Sequence, residues 1–232
     1  MHTLTQFKLC PQSRSIRLVL NELQIDFETR EERPWEYRDE LLAMNPSGEL
    51  PVLSLSGGPI LCGSYAISEY IAEEFKTANG AGRSVSLFPG SREDRAEVRR
   101  LVDWFHGKLA RDVTRDMLEE RVYRAYRAAT ASSAPDATIL RAVRQNLRYH
   151  MSYIAYLAHE RRWLAGDELS FADFAAAAHI SCLDFLGEVP WDDYEPARTW
   201  YSRIKSRPSF RPLLADRISG VAPPAHYFDL DF

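Results

Sequence analysis

Residues 45–53 read Asn45-Pro46-Ser47-Gly48-Glu49-Leu50-Pro51-Val52-Leu53, and this run decides the fold. Asn-Pro and Ser-Gly supply turn chemistry. The apolar run behind them carries a proline at its very start, where a missing N–H harms a strand least. Gly57-Gly58 separates it from Pro59-Ile60-Leu61-Cys62, so two short apolar strands flank a glycine pair, the pattern of a β-hairpin. A cis Leu50–Pro51 bond would turn the preceding backbone outward, with its N–H and C=O open to an extended peptide.

Working outward from the hairpin, Leu4-Thr5-Gln6-Phe7 reads as a strand entering the loop Lys8–Gln12. A helix follows from about Ser13, with Ile16, Leu18, Val19, Leu20 and Leu23 at near-helical spacing. Asp26–Thr29 is a second short strand, and Trp35–Met44 a short helix. Behind the hairpin, Ser64 is placed to cap a helix bearing Ile67, Tyr70, Ile71 and Phe75. Residues 1–78 therefore read βαβαββα, a thioredoxin-like α/β domain. Residues 79–90, opening on Asn79-Gly80-Ala81-Gly82, read as a linker, and residues 91–220 carry helical patterns alone. Those patterns run from Arg92 to about Ala128, Thr138 to Arg162, Ser170 to Leu186, Glu195 to Arg207 and Pro208 to Asp216, with a break at Thr130–Pro135. Residues 221–232 form a proline-led tail, expected to be extended.

Hydrophobic residues make up 45% of the 232 and charged residues 27%, an ordinary globular balance. The net charge of -4 gives no field toward nucleic acid or an anionic membrane. No apolar run reaches the roughly 18 residues needed to span a bilayer. The three cysteines, Cys10, Cys62 and Cys182, are odd in number and far apart, which with the absent leader pattern points to the cytoplasm. The six histidines keep no metal-ligand spacing, so no metal is expected, and His150 and His179 fall on apolar faces as core residues.

Cys10 is the candidate nucleophile. It precedes Pro11 at a helix start, where amides, the helix dipole and the nearby Arg14 and Arg17 would favour a thiolate; the alternative is a small, inert apolar side chain. Ser13 is the second hydroxyl- or thiol-bearing candidate there, with an N-cap as its local role. Ser170-Phe171-Ala172-Asp173 is a capping box ahead of an apolar helix, each member worth on the order of 1 kcal/mol. Trp35, in the run Glu31–Glu36, is either partner-facing or packed against the sheet edge or the other domain. His226-Tyr227-Phe228-Asp229-Leu230-Asp231-Phe232 alternates apolar and acidic residues, a docking motif or a self-packed end.

Together these motifs resemble the glutathione S-transferase superfamily over nearly the whole chain: the Asn-Pro-x-Gly-x-x-Pro-Val-Leu run, the Cys10-Pro11 loop and the Ser-x-Ala-Asp box. The resemblance implies an N-terminal thioredoxin-like domain, an all-helical C-terminal domain and a symmetric homodimer. It implies glutathione held by Leu50, Pro51, Val52, Gly63 and Ser64, and Cys10 or Ser13 as the catalytic group. A small electrophile or disulfide would sit against Trp104, His106 and Tyr123. Where family members place an acidic or glutamine residue before the serine, this chain has Gly63. The Trp-Glu pair, Arg207–Leu214 and the Pro-Pro-x-His-Tyr tail further resemble a subgroup of alphaproteobacterial division proteins that bind the tubulin-like FtsZ polymer. That likeness implies Trp35, His226, Tyr227, Asp229, Asp231 and Phe232 as partner-binding residues. A glutathione-linked transferase is thus the leading expectation and a non-catalytic, FtsZ-binding adaptor the alternative.

Overall fold

The computed structural model describes residues 1–75, 86–127 and 134–230. The expected linker glycines, most of the Thr130–Pro135 break, and Asp231 and Phe232 lie outside the described residues. β1 (His2–Gln6), α1 (Pro11–Glu22), β2 (Phe27–Glu31), α2 (Asp39–Met44), β3 (Val52–Ser54), β4 (Ile60–Cys62) and α3 (Ser64–Glu74) form the first unit. Its sheet has the order β2-β1-β3-β4. β1 runs parallel to β2, which requires the crossover that α1 supplies, while β3 is antiparallel to β1 and β4. Leu4, Ile16, Val19, Val52, Leu53, Ile67 and Ile71 are fully buried in its core.

Three local readings need correction. α1 starts at Pro11 rather than Ser13, because Cys10 takes the N-cap position and proline is preorganised for the first helical residue. The single helix expected over Trp35–Met44 is split: Pro34–Glu36 make a 3-10 turn, Tyr37 enters the left-handed region at φ 47°, and α2 begins only at Asp39. Ser64 is the first residue of α3 and not its cap; Gly63 caps it at φ 83°, a conformation that L side chains rarely adopt.

The second unit opens with α4 (Arg92–Asp103). The same helix continues through wide π-helical turns at Trp104–Thr114, α5 (Arg115–Leu118), further π-helical turns at Glu119–Tyr123, and α6 (Arg124–Arg127). α7 (Ala137–Glu160), α8 (Phe171–Phe185), α9 (Glu195–Lys205) and α10 (Arg211–Leu214) follow. Every residue of α8 is buried, as its nearly unbroken apolar composition requires. The capping box forms: Asp173 accepts from the Ser170 amide at 3.1 Å. Asp173 also accepts from the Leu164 amide at 2.9 Å and the Trp200 indole at 3.0 Å, anchoring a loop and α9 as well.

α1 and α8 pack against one another across the two units, and the tail seals them. Ala225–Phe228 is a 3-10 turn, not an extended segment, and it drives Tyr227 into the core with no exposed surface. The Tyr227 hydroxyl donates to the Leu213 carbonyl at 3.2 Å and receives from Arg14 at 3.4 Å.

Candidate functional site

The loop before α1, the segment feeding β3 and the start of α3 converge on one side of a cleft of about 660 Å³. Cys10 and Gln12 come from the first, Ser47 to Leu50 from the second, and Gly63, Ser64 and Tyr65 from the third. The facing wall is the long helix of the second unit, through Asp103, His106, Arg115, Glu119, Tyr123 and Arg127. Trp35 and Tyr37 close one end.

Cys10 lies at the helix start, as the sequence suggested, and its surroundings favour the inert-thiol alternative. The residue is buried, its Sγ 3.8 Å from the Leu50 carbonyl and 3.7 Å from Gln12 Oε1. Burial pushes the thiol upward, against the Ser13 hydroxyl and the Ser13 and Gln12 amides, and Glu49 adds to the rise. Arg14 and Arg17 give it no help. Their guanidinium groups turn to Asp216, Arg14 at 3.3 Å and Arg17 at 2.8 Å, and Arg14 also donates to Ser181 at 2.9 Å. An uncharged thiol of this kind is a weak nucleophile at neutral pH.

Ser13 does not cap α1; its hydroxyl is buried without a well-formed hydrogen bond, near enough to the Cys10 sulfur to favour the anion. The Leu50–Pro51 bond is cis. Leu50 lines the cleft, whereas Val52 is fully buried between its partners Thr5 and Cys62, so Leu50 alone of residues 50–52 faces the opening. Ser64 is buried at the floor beside Gly63.

On the helical wall, His106 and Tyr123 face the cleft, but Trp104 does not. It turns to the opposite side of its helix, its ring 4.6 Å from that of Tyr153 and 6.2 Å from that of Tyr149. His106 has both ring nitrogens engaged, Nε2 at 3.3 Å from Ser15 Oγ and Nδ1 at 3.0 Å from His179 Nε2. Burial pushes its pKa down to about 3, so the ring is a neutral wall and not an acid–base group. Trp35 is half-buried in an aromatic cluster with Phe7 at 5.1 Å, Tyr123 at 4.8 Å and Tyr126 at 5.5 Å. It bridges the two units through Tyr123 and Tyr126 while still lining the cleft. Of the tail residues, Tyr227 is in the core, His226 sits 3.2 Å from the Asp184 carboxylate, and Asp229 is exposed.

Sequence reasoning missed Tyr65, Asp103, Arg115, Glu119 and Arg127. The last two pair with each other, and Arg115 pairs with Asp116 at 2.9 Å. Among the described residues no group of three or more His, Cys, Asp or Glu is placed to hold a metal ion. No described helix is long and apolar enough to cross a membrane.

Comparison with known proteins agrees with the fold that carries this cleft. Residues 9–74 match the family model of the glutathione S-transferase N-terminal domain, and residues 115–208 that of the C-terminal domain. FtsZ-localized protein A of Caulobacter vibrioides is 43% identical over 233 residues, covering 99% of this chain and 98% of that one. The structure of FzlA from C. crescentus superposes with a TM-score of 0.91 at 43% identity, covering 100% of this chain and 99% of that one. A glutathione S-transferase from Sinorhizobium meliloti superposes with a TM-score of 0.92 at 46% identity, each chain covered completely.

Proposed function

The chain belongs to the glutathione S-transferase family, and we propose that within it this member serves as an FtsZ-associated adaptor in cell division and not as a thiol-activating transferase. The observation that carries the reading is the likeness to FtsZ-localized protein A from end to end, tail included. The site agrees: the Cys10 thiol is pushed up, its expected arginines are committed elsewhere, and His106 has no free nitrogen. Fold alone decides nothing here, since the same scaffold carries many activities. Co-sedimentation with assembled FtsZ from the same organism tests it. Saturable pelleting with the polymer is the expected result; a protein that stays in the supernatant at every polymer concentration ends the reading.

A second reading, glutathione binding, is favoured by the open cleft beside Leu50 and Ser64 at the start of α3, an N-terminus suited to a carboxylate. Without an acidic or amide side chain at Gly63, a dissociation constant on the order of 1 mM is expected in a calorimetric titration. Thiol exchange by the wild type should match that of Cys10→Ser. A wild type clearly faster than the variant restores the enzyme.

A further inference from the structure

We infer that Thr114, His179, His106 and Ser15 form a one-way hydrogen-bond chain by which the helical unit holds the Gln12–Ser13 peptide, whose amide lies beside the Cys10 sulfur. The direction follows link by link. Ser15 Oγ lies 2.8 Å from the Gln12 carbonyl, which can only accept, so the single serine hydrogen is committed there. Toward His106, 3.3 Å away, Ser15 therefore accepts, and His106 Nε2 carries the hydrogen. His106 is neutral, so its Nδ1 is bare and accepts from His179 Nε2–H at 3.0 Å. Burial holds His179 neutral too, which leaves its Nδ1 to accept from the Thr114 hydroxyl at 2.9 Å. No link has a second arrangement while Ser15 serves Gln12.

The chain ends at a useful atom. The Gln12 carbonyl and the Ser13 N–H belong to one planar peptide unit, so fixing the first fixes the second. The Ser13 and Gln12 amides are among the groups that oppose burial at the Cys10 sulfur. Thr114 and His106 belong to the π-helical turns, His179 to α8 and Ser15 to α1. A group deep in the second unit thereby sets the field at the thiol end of the cleft. Thr114 and His179 are positioning residues; neither touches the opening.

The test is the pH–rate profile of Cys10 modification by methyl methanethiosulfonate, read at that residue by mass spectrometry on the full-length protein. Thr114→Val keeps the shape and removes the donor. It should raise the apparent pKa of the thiol and slow modification near neutrality about threefold to tenfold, the worth of one weakened hydrogen bond. Thr114→Ser should restore the wild-type profile. Glu49, Tyr123 and Cys182, the other titratable groups facing the sulfur, are unaltered in both variants. A valine profile that coincides with wild type, or moves downward, overturns the inference. Long-range proton–nitrogen spectra of the wild type give a readout that needs no variant. Both imidazoles should be neutral Nε2–H tautomers from about pH 5 to 8; an Nδ1–H on either ring, or titration in that range, overturns it.

Discussion

Asp173 shows how far one residue can be read from its neighbours in sequence. The Ser-x-x-Asp spacing announces the cap, because the box is closed by bonds three residues apart. What the spacing cannot announce is the Leu164 amide and the Trp200 indole, nine and 27 residues away, which meet the same carboxylate. Asp173→Ala would remove the acceptor from four buried donors, the Ser170 and Leu164 amides, the Ser170 hydroxyl and the Trp200 indole, so it should cost about 3 kcal/mol or more, against about 1 kcal/mol for Ser170→Ala. Urea denaturation of the two variants checks the ratio. Gly63 is the converse case. A Cβ there meets nothing within 4 Å, yet φ is 83°. Gly63→Gln should therefore lower stability by about 1–3 kcal/mol through backbone strain while tightening glutathione binding. Calorimetry at matched temperatures separates the two effects. The place of Cys10 at a helix start is legible from sequence, but its electrostatic surroundings are not, because the direction in which Arg14 and Arg17 turn depends on Asp216, about two hundred residues downstream.

Among the elements, the strands, the hairpin and the apolar helix α8 were legible because short apolar runs, turn residues and unbroken apolarity are local signals. The helical wall of the cleft was not. Asp103, Gly107, Arg115, Glu119, Tyr123 and Arg127 all lie on a row of spacing four. In a regular α-helix such a row drifts by about 40° at each step, and would wind away from the cleft well before its end. The π-helical turns at Trp104–Thr114 and Glu119–Tyr123 hold more residues per turn and cancel the drift. A search at the period of 3.6 residues cannot see a face built that way, and it also misplaced Trp104, which points to α7. The tail was misread for a related reason: its Pro-Pro start suggests an extended chain, whereas burial of Tyr227 folds it back. Removing residues 225–232 should therefore destabilise the fold by about 3–5 kcal/mol, as loss of a core aromatic does. Removing only 229–232, of which the described Asp229 and Leu230 are exposed, should leave stability within about 0.5 kcal/mol of wild type while abolishing FtsZ co-sedimentation. Thermal melts beside pelleting assays distinguish the two truncations. Unimpaired pelleting by the shorter truncation removes the tail from the proposed interface.

For the whole molecule, ion pairs join the two units alongside the apolar packing of α1 on α8. Arg14 and Arg17 of α1 share the Asp216 carboxylate, and Glu22 at the end of α1 takes Arg207 together with Ser209 at 2.7 Å. Pairings that span nearly the full chain leave no trace in local spacing, which is why the two-part fold class was legible and the docking of its parts was not. Glu22 gives this docking a pH signature. Burial pushes its carboxyl up, but the bonds from Arg207 and Ser209 outweigh that, and the net shift is downward from 4.5. A carboxyl depressed in the folded state stabilises it above the unfolded pKa, and that contribution is lost as pH falls through the folded value. The wild-type stability curve alone would not isolate it, because burial pushes the Asp173 and Asp184 carboxyls up, and their contributions run in the opposite sense. The difference between wild type and Glu22→Gln does isolate it. That difference should be about 1.5–3 kcal/mol at neutral pH, the worth of a charged hydrogen-bonded pair. It should hold down to about pH 4.5 and shrink steadily below it. Denaturant titrations of both proteins across that range measure it directly; a difference that stays constant on acidification would mean that the glutamate acts in this docking by shape and not by charge.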